Sequence, residues 1–308
     1  MKALLLHEVD ERGLDKLVEL YIAKWNTPTN PILQREFSEY TAPELAAEVR
    51  RQFEMRKVVF PEGQIVIVDE RGDTNVPVAC INGFLIDSGL LIDAAYKTGH
   101  GLYSRLTKRG RFVEDMTPYH TYHNPEGDAL TCYTIISDVK GGGMTLIQVV
   151  GHIFSGTVLP EGMQASEAVQ AAREKYSGSA RNDKRDDRID HKRDNRKQVV
   201  PFTRLNGYHQ FVQQWGGEVE EYLTEVWNYV NAARAAQNDP QRREALKQDQ
   251  KYRIISQDST FFHGRLGAQQ ILFPDKKPGI VYNGRPADHD SVGHNNLVVY
   301  HNRTFKTR

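Results

Sequence analysis

The chain has 308 residues, of which 39% are hydrophobic and 26% charged, with 24 glycines, so it can bury a core without staples and is neither a disulfide miniprotein nor a wholly disordered chain. Forty basic residues balance forty acidic ones, which removes any global field that would draw it onto nucleic acid or a membrane surface. The two cysteines, Cys80 and Cys132, lack CxxC spacing and read as small core residues in a reducing, cytoplasmic setting.

Residues 3–9 read as a strand and 10–25 as a helix, because Leu14, Leu17, Val18 and Tyr21 recur at helical spacing after an acidic start. The leading apolar run is too short for a secretory signal, and the longest mostly apolar stretch, 144–154, falls short of the roughly 20 residues of a membrane helix. Thr41, followed by Pro43 just inside, opens a second helix with Leu45, Val49 and Phe53 on one face. Residues 64–69 and 76–86 are β-rich runs flanking a turn, an antiparallel hairpin. Residues 88–128 are rich in glycine and proline and read as a long loop region that covers a site.

Residues 129–137 form another strand, which runs through Gly141, Gly142 and Gly143 into a helix at 146–154. Residues 181–197 contain eight basic and five acidic residues with Ile189 the sole aliphatic one, so a charged, flexible insertion is expected over about 155–197. A strand at 198–203 resumes the fold. Helical stretches follow near 217–235 and 239–251, with an added helical insertion at about 231–255. A short helix at 258–266 and strands at 269–273 and 296–301 complete a single α/β domain spanning 1–308.

Consecutive glycines between a strand and a helix let the backbone turn sharply and converge amide N–H groups where the helix dipole is positive, which is an anion site. The loop is not GxxxxGK[ST], and no GxGxxG with a following acidic residue is present, so a mononucleotide kinase or a dinucleotide enzyme is not indicated.

Lys140-Gly141-Gly142-Gly143-Met144-Thr145 resembles the pyrophosphate loop of the GNAT acyltransferase superfamily, Gln/Arg-x-x-Gly-x-Gly/Ala. It departs from that pattern where Lys140 replaces Gln or Arg and Thr145 replaces the last small residue. Arg204-Leu205-Asn206-Gly207-Tyr208-His209 is similar to Arg-x-Pro-Gly-Tyr-His after the fifth strand of one GNAT subgroup, and Glu220-Glu221-Tyr222-Leu223 to its Glu-Glu-Tyr-Val. The stretch from Asp258 through His263 to Ala268 looks like the subgroup's Asp-Pro-x-Leu-x-Phe-His-x-x-x-Gly-Phe helix. The stretch from Asp288 to His294 parallels its Asp-x-x-Ser-x-Gly-Tyr segment, and that from Thr121 to Asp128 its lead into the fourth strand.

The resemblance implies a central, mostly antiparallel, twisted sheet splayed between strands 4 and 5, with helices on both faces and acyl-CoA in the splay. Tyr133, Ile135 and Ser137 would then bind pantetheine through the fourth strand. Lys140, Gly141, Gly142, Gly143, Met144 and Thr145 would bind the pyrophosphate. Many members protonate the departing thiolate with a tyrosine four residues before a glycine; that position is His263 here, and its charge state would titrate with activity. His209, with Tyr208 beside it, is the candidate base or orienting group, and Thr134 the hydrogen-bonding partner of the thioester or of an acyl carboxylate. Trp25 is placed either over the acceptor pocket or in the core.

The expected function is transfer of an acetyl or other short acyl group from acyl-CoA to a small-molecule amine by direct attack. One alternative is a GNAT-like malonyl decarboxylase or S-acyltransferase acting with a separate acyl carrier protein, and another is a catalytically inactive GNAT-fold binding protein. Neither His120 with His123 nor Asp288 with His289, Asp290 and His294 has zincin spacing, and no metal is expected.

Overall fold

The computed structural model describes residues 1–25, 38, 40–71, 74–91, 122–177, 197–204, 207–268, 270–272, 281–282, 285–286 and 295–299. Residues 92–121 of the long loop expected at 88–128, the charged run from 178 to 196 and the 288–294 segment lie outside them. The chain divides into two compact units, one of residues 1–88, 119–199 and 302–308 and the other of 89–118 and 200–301.

Among the described residues the first unit is a six-stranded sheet, in order β5-β1-β2-β3-β4-β6, with four α-helices and short 3-10 turns. Its strands are β1 (Lys2–Leu5), β2 (Gln64–Arg71), β3 (Thr74–Ile86), β4 (Ala129–Ser137), β5 (Gln164–Ala165) and β6 (Gln198–Val199). The β1–β2, β2–β3 and β3–β4 pairs are antiparallel, whereas β5 joins β1 and β6 joins β4 in parallel. The mixed α/β class and mostly antiparallel sheet expected from sequence are therefore present. The first strand ends earlier than expected, since Leu6–Glu8 form a 3-10 turn.

Helix α1 (Glu11–Trp25) starts where Asp10 accepts the Gly13 amide at 2.7 Å, and it buries Leu14, Leu17, Val18 and Tyr21 as its periodicity predicts. Helix α2 (Ala42–Val59) opens with a capping box between Thr41 and Glu44 and buries Leu45, Val49 and Phe53. Tyr21 meets Phe53 edge-to-face at 5.8 Å, which locks the two helices together. Helix α3 (Gly142–Ser155) lies along β2, β3, β4 and β6 and packs on α4 (Glu167–Ser177).

Helix α4 falls inside the stretch expected to be a flexible insertion, and the part of that stretch up to residue 177 is folded instead. Val169, Ala172 and Tyr176 are buried, Ser166 donates to Glu8 at 2.6 Å, and Lys175 pairs with Glu62 at 2.6 Å. Charge density is concentrated after residue 181; before it, the helical apolar spacing is enough to offset ordering entropy.

Two irregularities bend the sheet. Pro77 opposes Val68 at a register shift on the β2–β3 ladder, as expected for a residue that cannot donate to it. On β4 the register passes from Asn82 opposite Thr134 to Gly83 opposite Cys132, which leaves Tyr133 as an unopposed bulge residue. A Cβ on Gly83 would stand 2.7 Å from the Thr131 carbonyl, so only glycine allows this approach. Cys80 and Cys132 are free and buried among these strands, and burial pushes both thiols up, Cys80 to about 12.

The second unit contains β7 (Phe202–Arg204), β8 (Gln270–Leu272) and β11 (Asn295–Val299) in an antiparallel sheet ordered β7-β11-β8, with β9 (Val281–Tyr282) and β10 (Arg285–Pro286) as a separate pair. Its helices are α5 (Tyr208–Trp215), α6 (Val219–Ala235), α7 (Pro240–Gln248), α8 (Gln250–Ile255) and α9 (Ser259–Arg265). The core gathers Phe211 of α5, Tyr222, Leu223, Val226 and Val230 of α6, Ile254 and Ile255 of α8, and Phe261 of α9. The strand expected at 198–203 is two strands in different units, because Pro201 interrupts it.

Within that core Asp258 is fully buried and caps α9 through the Thr260 amide at 2.7 Å, while Tyr222 donates to it at 2.9 Å. Replacing Tyr222 by Phe removes one donor from a buried carboxyl group and is expected to cost roughly 1–3 kcal/mol of unfolding free energy, measured by urea titration at neutral pH.

Candidate functional site

The strand–glycine–helix connection of the first unit is built by local chemistry. The Ser137 hydroxyl accepts from the Val139 amide at 3.2 Å and donates to the Val139 carbonyl at 2.9 Å, closing a tight turn at the end of β4. The Asp138 amide donates to the Val78 carbonyl at 2.8 Å, tying that turn back to β3. Gly141 then takes φ +83 as the N-cap of α3, a left-handed conformation that glycine adopts without strain.

The helix begins earlier than its apolar pattern suggests, so Gly142 and Gly143 form its first turn. A Cβ on Gly142 would stand 2.1 Å from the Ser137 hydroxyl oxygen and 2.9 Å from a Val139 methyl, so the turn closes only over a hydrogen atom. The Gly142 amide donates to the Val139 carbonyl at 3.1 Å and that of Thr145 to the Gly141 carbonyl at 3.0 Å. The Gly143 and Met144 amides find no acceptor among the described residues. Two open N–H groups, no acidic side chain in the first turn and the positive end of a 14-residue helix make an anion seat.

Lys140 and Gly141 are exposed at this seat, and Met144 is 41% exposed. Asp138 nearby is paired with Lys24 of α1 at 3.0 Å, which offsets the one carboxylate on the turn. Thr145 satisfies itself, its hydroxyl donating to the Gly141 carbonyl at 3.2 Å.

Ala129 and Leu130 pair with Gln198 and Val199, and beyond Leu130 no strand pairs with that edge of β4 among the described residues. Thr131, Cys132 and Ile136 of this unpaired stretch are buried, and the stretch ends at the glycine turn. Thr134 is buried and Ile135 and Ser137 half-buried on this stretch; the side chain of Tyr133 lies outside the description.

The other expected residues sit in the second unit. Tyr208 and His209 open α5, where Tyr208 is half-buried and meets the Tyr222 ring at 5.5 Å; the side chain of His209, like that of Trp25 on α1, is outside the description. Gly207, just before them, cannot carry a Cβ, which would meet the Tyr222 hydroxyl at 2.7 Å and the Ile254 carbonyl at 3.0 Å. His263 lies on α9 at 3% exposure, with Phe262 edge-on at 5.2 Å. Burial drives its pKa down to about 3, so it is an uncharged imidazole at neutral pH. A buried neutral imidazole keeps one ring N–H but is a far weaker acid than imidazolium, which makes it a poor proton donor to a thiolate.

Asp258 is what sequence reasoning missed. Burial raises it to about 7 against the hydrogen bonds from Thr260, Tyr222 and Gly207 that lower it. The sequence placed it at the start of a short helix; nothing in its spacing showed that Tyr222, 36 residues earlier, would reach it.

No protein-family model matches the sequence, and no curated protein matches it. Among solved structures the chain is similar to "GphF GNAT-like decarboxylase in complex with isobutyryl-CoA", with a TM-score of 0.40 and 17% identity over 95% of this chain and 96% of that one. The reading of the site accordingly rests on its own geometry. Among the described residues no group of three or more His, Cys, Asp or Glu is arranged to hold a metal ion, and no helix is long and apolar enough to cross a membrane.

Two measurements check this description. Gly142→Ala is expected to cost about 1–3 kcal/mol of stability by overpacking the turn. For His263, the folded pKa of about 3 lies below the ordinary 6.5, so its contribution is complete above pH 6.5 and is lost as pH falls toward 3. Urea titrations should show wild type losing stability relative to His263→Gln by up to about 1.4 kcal/mol per pH unit in that window.

Proposed function

We propose that the chain binds acyl-CoA and transfers an acetyl or other short acyl group to an amine. The observation that carries this reading is the continuity of two features in one unit: a β4 edge that is unpaired from Thr131 to Ser137 among the described residues, and, directly at its end, a helix N-terminus whose Gly143 and Met144 amides find no acceptor among the described residues. The edge suits the amides of pantetheine, which pair like a short added strand, and the seat suits a diphosphate. The sequence resemblance to GNAT proteins supports the same placement.

In this reading Lys140 adds charge to the diphosphate seat, and the backbone from Tyr133 to Ser137 aligns the pantetheine arm. The amine nitrogen attacks the thioester carbonyl carbon, the carbon–sulfur bond breaks, and the amine proton leaves as the thiolate takes one up. Thr134 is assigned to the acyl end. His263 is assigned no part in the proton transfer, because burial holds it in the uncharged form. The protein works without a metal in this scheme and takes no membrane or nucleic-acid partner.

Calorimetry with CoA and with acetyl-pantetheine, which lacks the diphosphate, tests the placement. Lys140→Met is expected to weaken CoA roughly fivefold, the value of one exposed ionic contact, and leave acetyl-pantetheine unchanged. Absence of any CoA heat overturns the reading. Thiol release from acetyl-CoA that requires an added amine supports transfer; carbon dioxide release from malonyl-CoA, or tight binding without turnover, replaces it.

A further inference from the structure

A row of buried polar side chains crosses the middle of the first unit's sheet. Asn82 on β3 lies directly opposite Gln64 on β2 and Thr134 on β4, and directly opposed residues of an antiparallel ladder project to the same face. Phe84, two residues along β3 from Asn82, brings its partner Thr131 to that face as well, because the bulge at Tyr133 absorbs the extra β4 residue. Gln64, Asn82 and Thr131 are at most 1% exposed, and Thr134 is 4% exposed.

Three atoms of this row have no hydrogen-bond partner: Gln64 Oε1, Asn82 Nδ2 and Thr131 Oγ1. The Gln64 orientation is fixed, since its Nε2 donates to the carbonyls of Phe60 at 3.0 Å and Gly83 at 2.9 Å, and its oxygen is left as a pure acceptor. Each buried orphan costs of the order of 1–3 kcal/mol, so three on one face of the sheet call for a completing group.

We propose that this row is the floor of the acyl pocket and that it selects acyl groups carrying a neutral hydroxyl on the third carbon. The inference rests on the coenzyme A reading, in which the thioester end follows the unpaired β4 edge to the Thr131–Thr134 stretch. A hydroxyl accepts from Asn82 Nδ2 and donates to Gln64 Oε1 at once, with the Thr131 hydroxyl free to rotate to it. A plain alkyl chain leaves the orphans dry. A carboxylate only accepts, and it would face the lone pairs of Gln64 Oε1.

Calorimetry on the full chain with CoA, butyryl-CoA, 3-hydroxybutyryl-CoA and malonyl-CoA tests this. Wild type is expected to bind 3-hydroxybutyryl-CoA at least about tenfold more tightly than butyryl-CoA, because a polar site rejects the analogue that leaves it unpaired. Asn82→Leu should erase most of that difference while CoA affinity stays unchanged. Thr131→Val should reduce it and melt no lower than wild type, which guards against a folding artefact. If CoA binds but the two acyl-CoAs bind equally, if the difference persists in Asn82→Leu, or if malonyl-CoA binds most tightly, the pocket assignment is overturned while the coenzyme site stands. If CoA gives no heat, both readings fall together.

Discussion

The first unit depends on how briefly β4 and β6 pair. Parallel strands joined through a helix ordinarily run together for several residues, yet here the ladder holds only Ala129 and Leu130. Pro201, two residues after β6, has no amide to offer, so continuation of the ladder along β4 is blocked from the sequence itself. An unpaired edge is an aggregation liability on an ordinary sheet. Here the stretch left unpaired among the described residues is short, carries a bulge at Tyr133, has Thr131, Cys132, Thr134 and Ile136 buried, and ends in the glycine turn.

The second unit solves a different problem, that of holding ionisable groups inside a helical core. Asp258 stays buried because Tyr222, the Thr260 amide and the Gly207 backbone surround it, whereas His263 one helical turn away stays buried by being neutral. Their pH responses oppose each other. As pH rises from about 4 to 7, retention of a proton on Asp258 in the folded state erodes stability, and over nearly the same range the loss of the unfolded-state proton on His263 restores it. Gly207 links this core to the start of α5, so the packing that fixes Asp258 also fixes where Tyr208 and His209 begin.

Much of this was legible in the sequence. The apolar spacing of α1 and α2, the 64–86 hairpin, β4 and the glycine turn all follow from local patterns that tertiary contacts do not override. The turn's sharper features did not follow: three glycines in a row are equivalent on paper, but one supplies a positive φ, the next a contact no methyl can occupy, and the third an open amide. Helix α4 was hidden by the charge of the segment after it, and the division at Pro201 by an apparently continuous β-rich run. The role first suggested for His263 shows the limit of motif reading. A histidine at an acid's position keeps that role only where solvent or a charge partner holds its pKa near neutrality, and burial is not written in spacing.

The departures from the family's loop pattern have a physical reading once the turn is described. In a seat made of backbone amides, affinity comes from the direction of N–H groups that Gly141 and Gly142 fix in place, and those cannot be supplied by a side chain. The exposed residue at position 140 adds a screened charge rather than a fixed geometry, so lysine there can stand in for arginine. Position 145 requires a small group only if its side chain would intrude on the ligand, and Thr145 turns its hydroxyl back to the Gly141 carbonyl instead. The two substitutions therefore fall where the chemistry is permissive, while glycine is retained at the two positions where geometry allows nothing else.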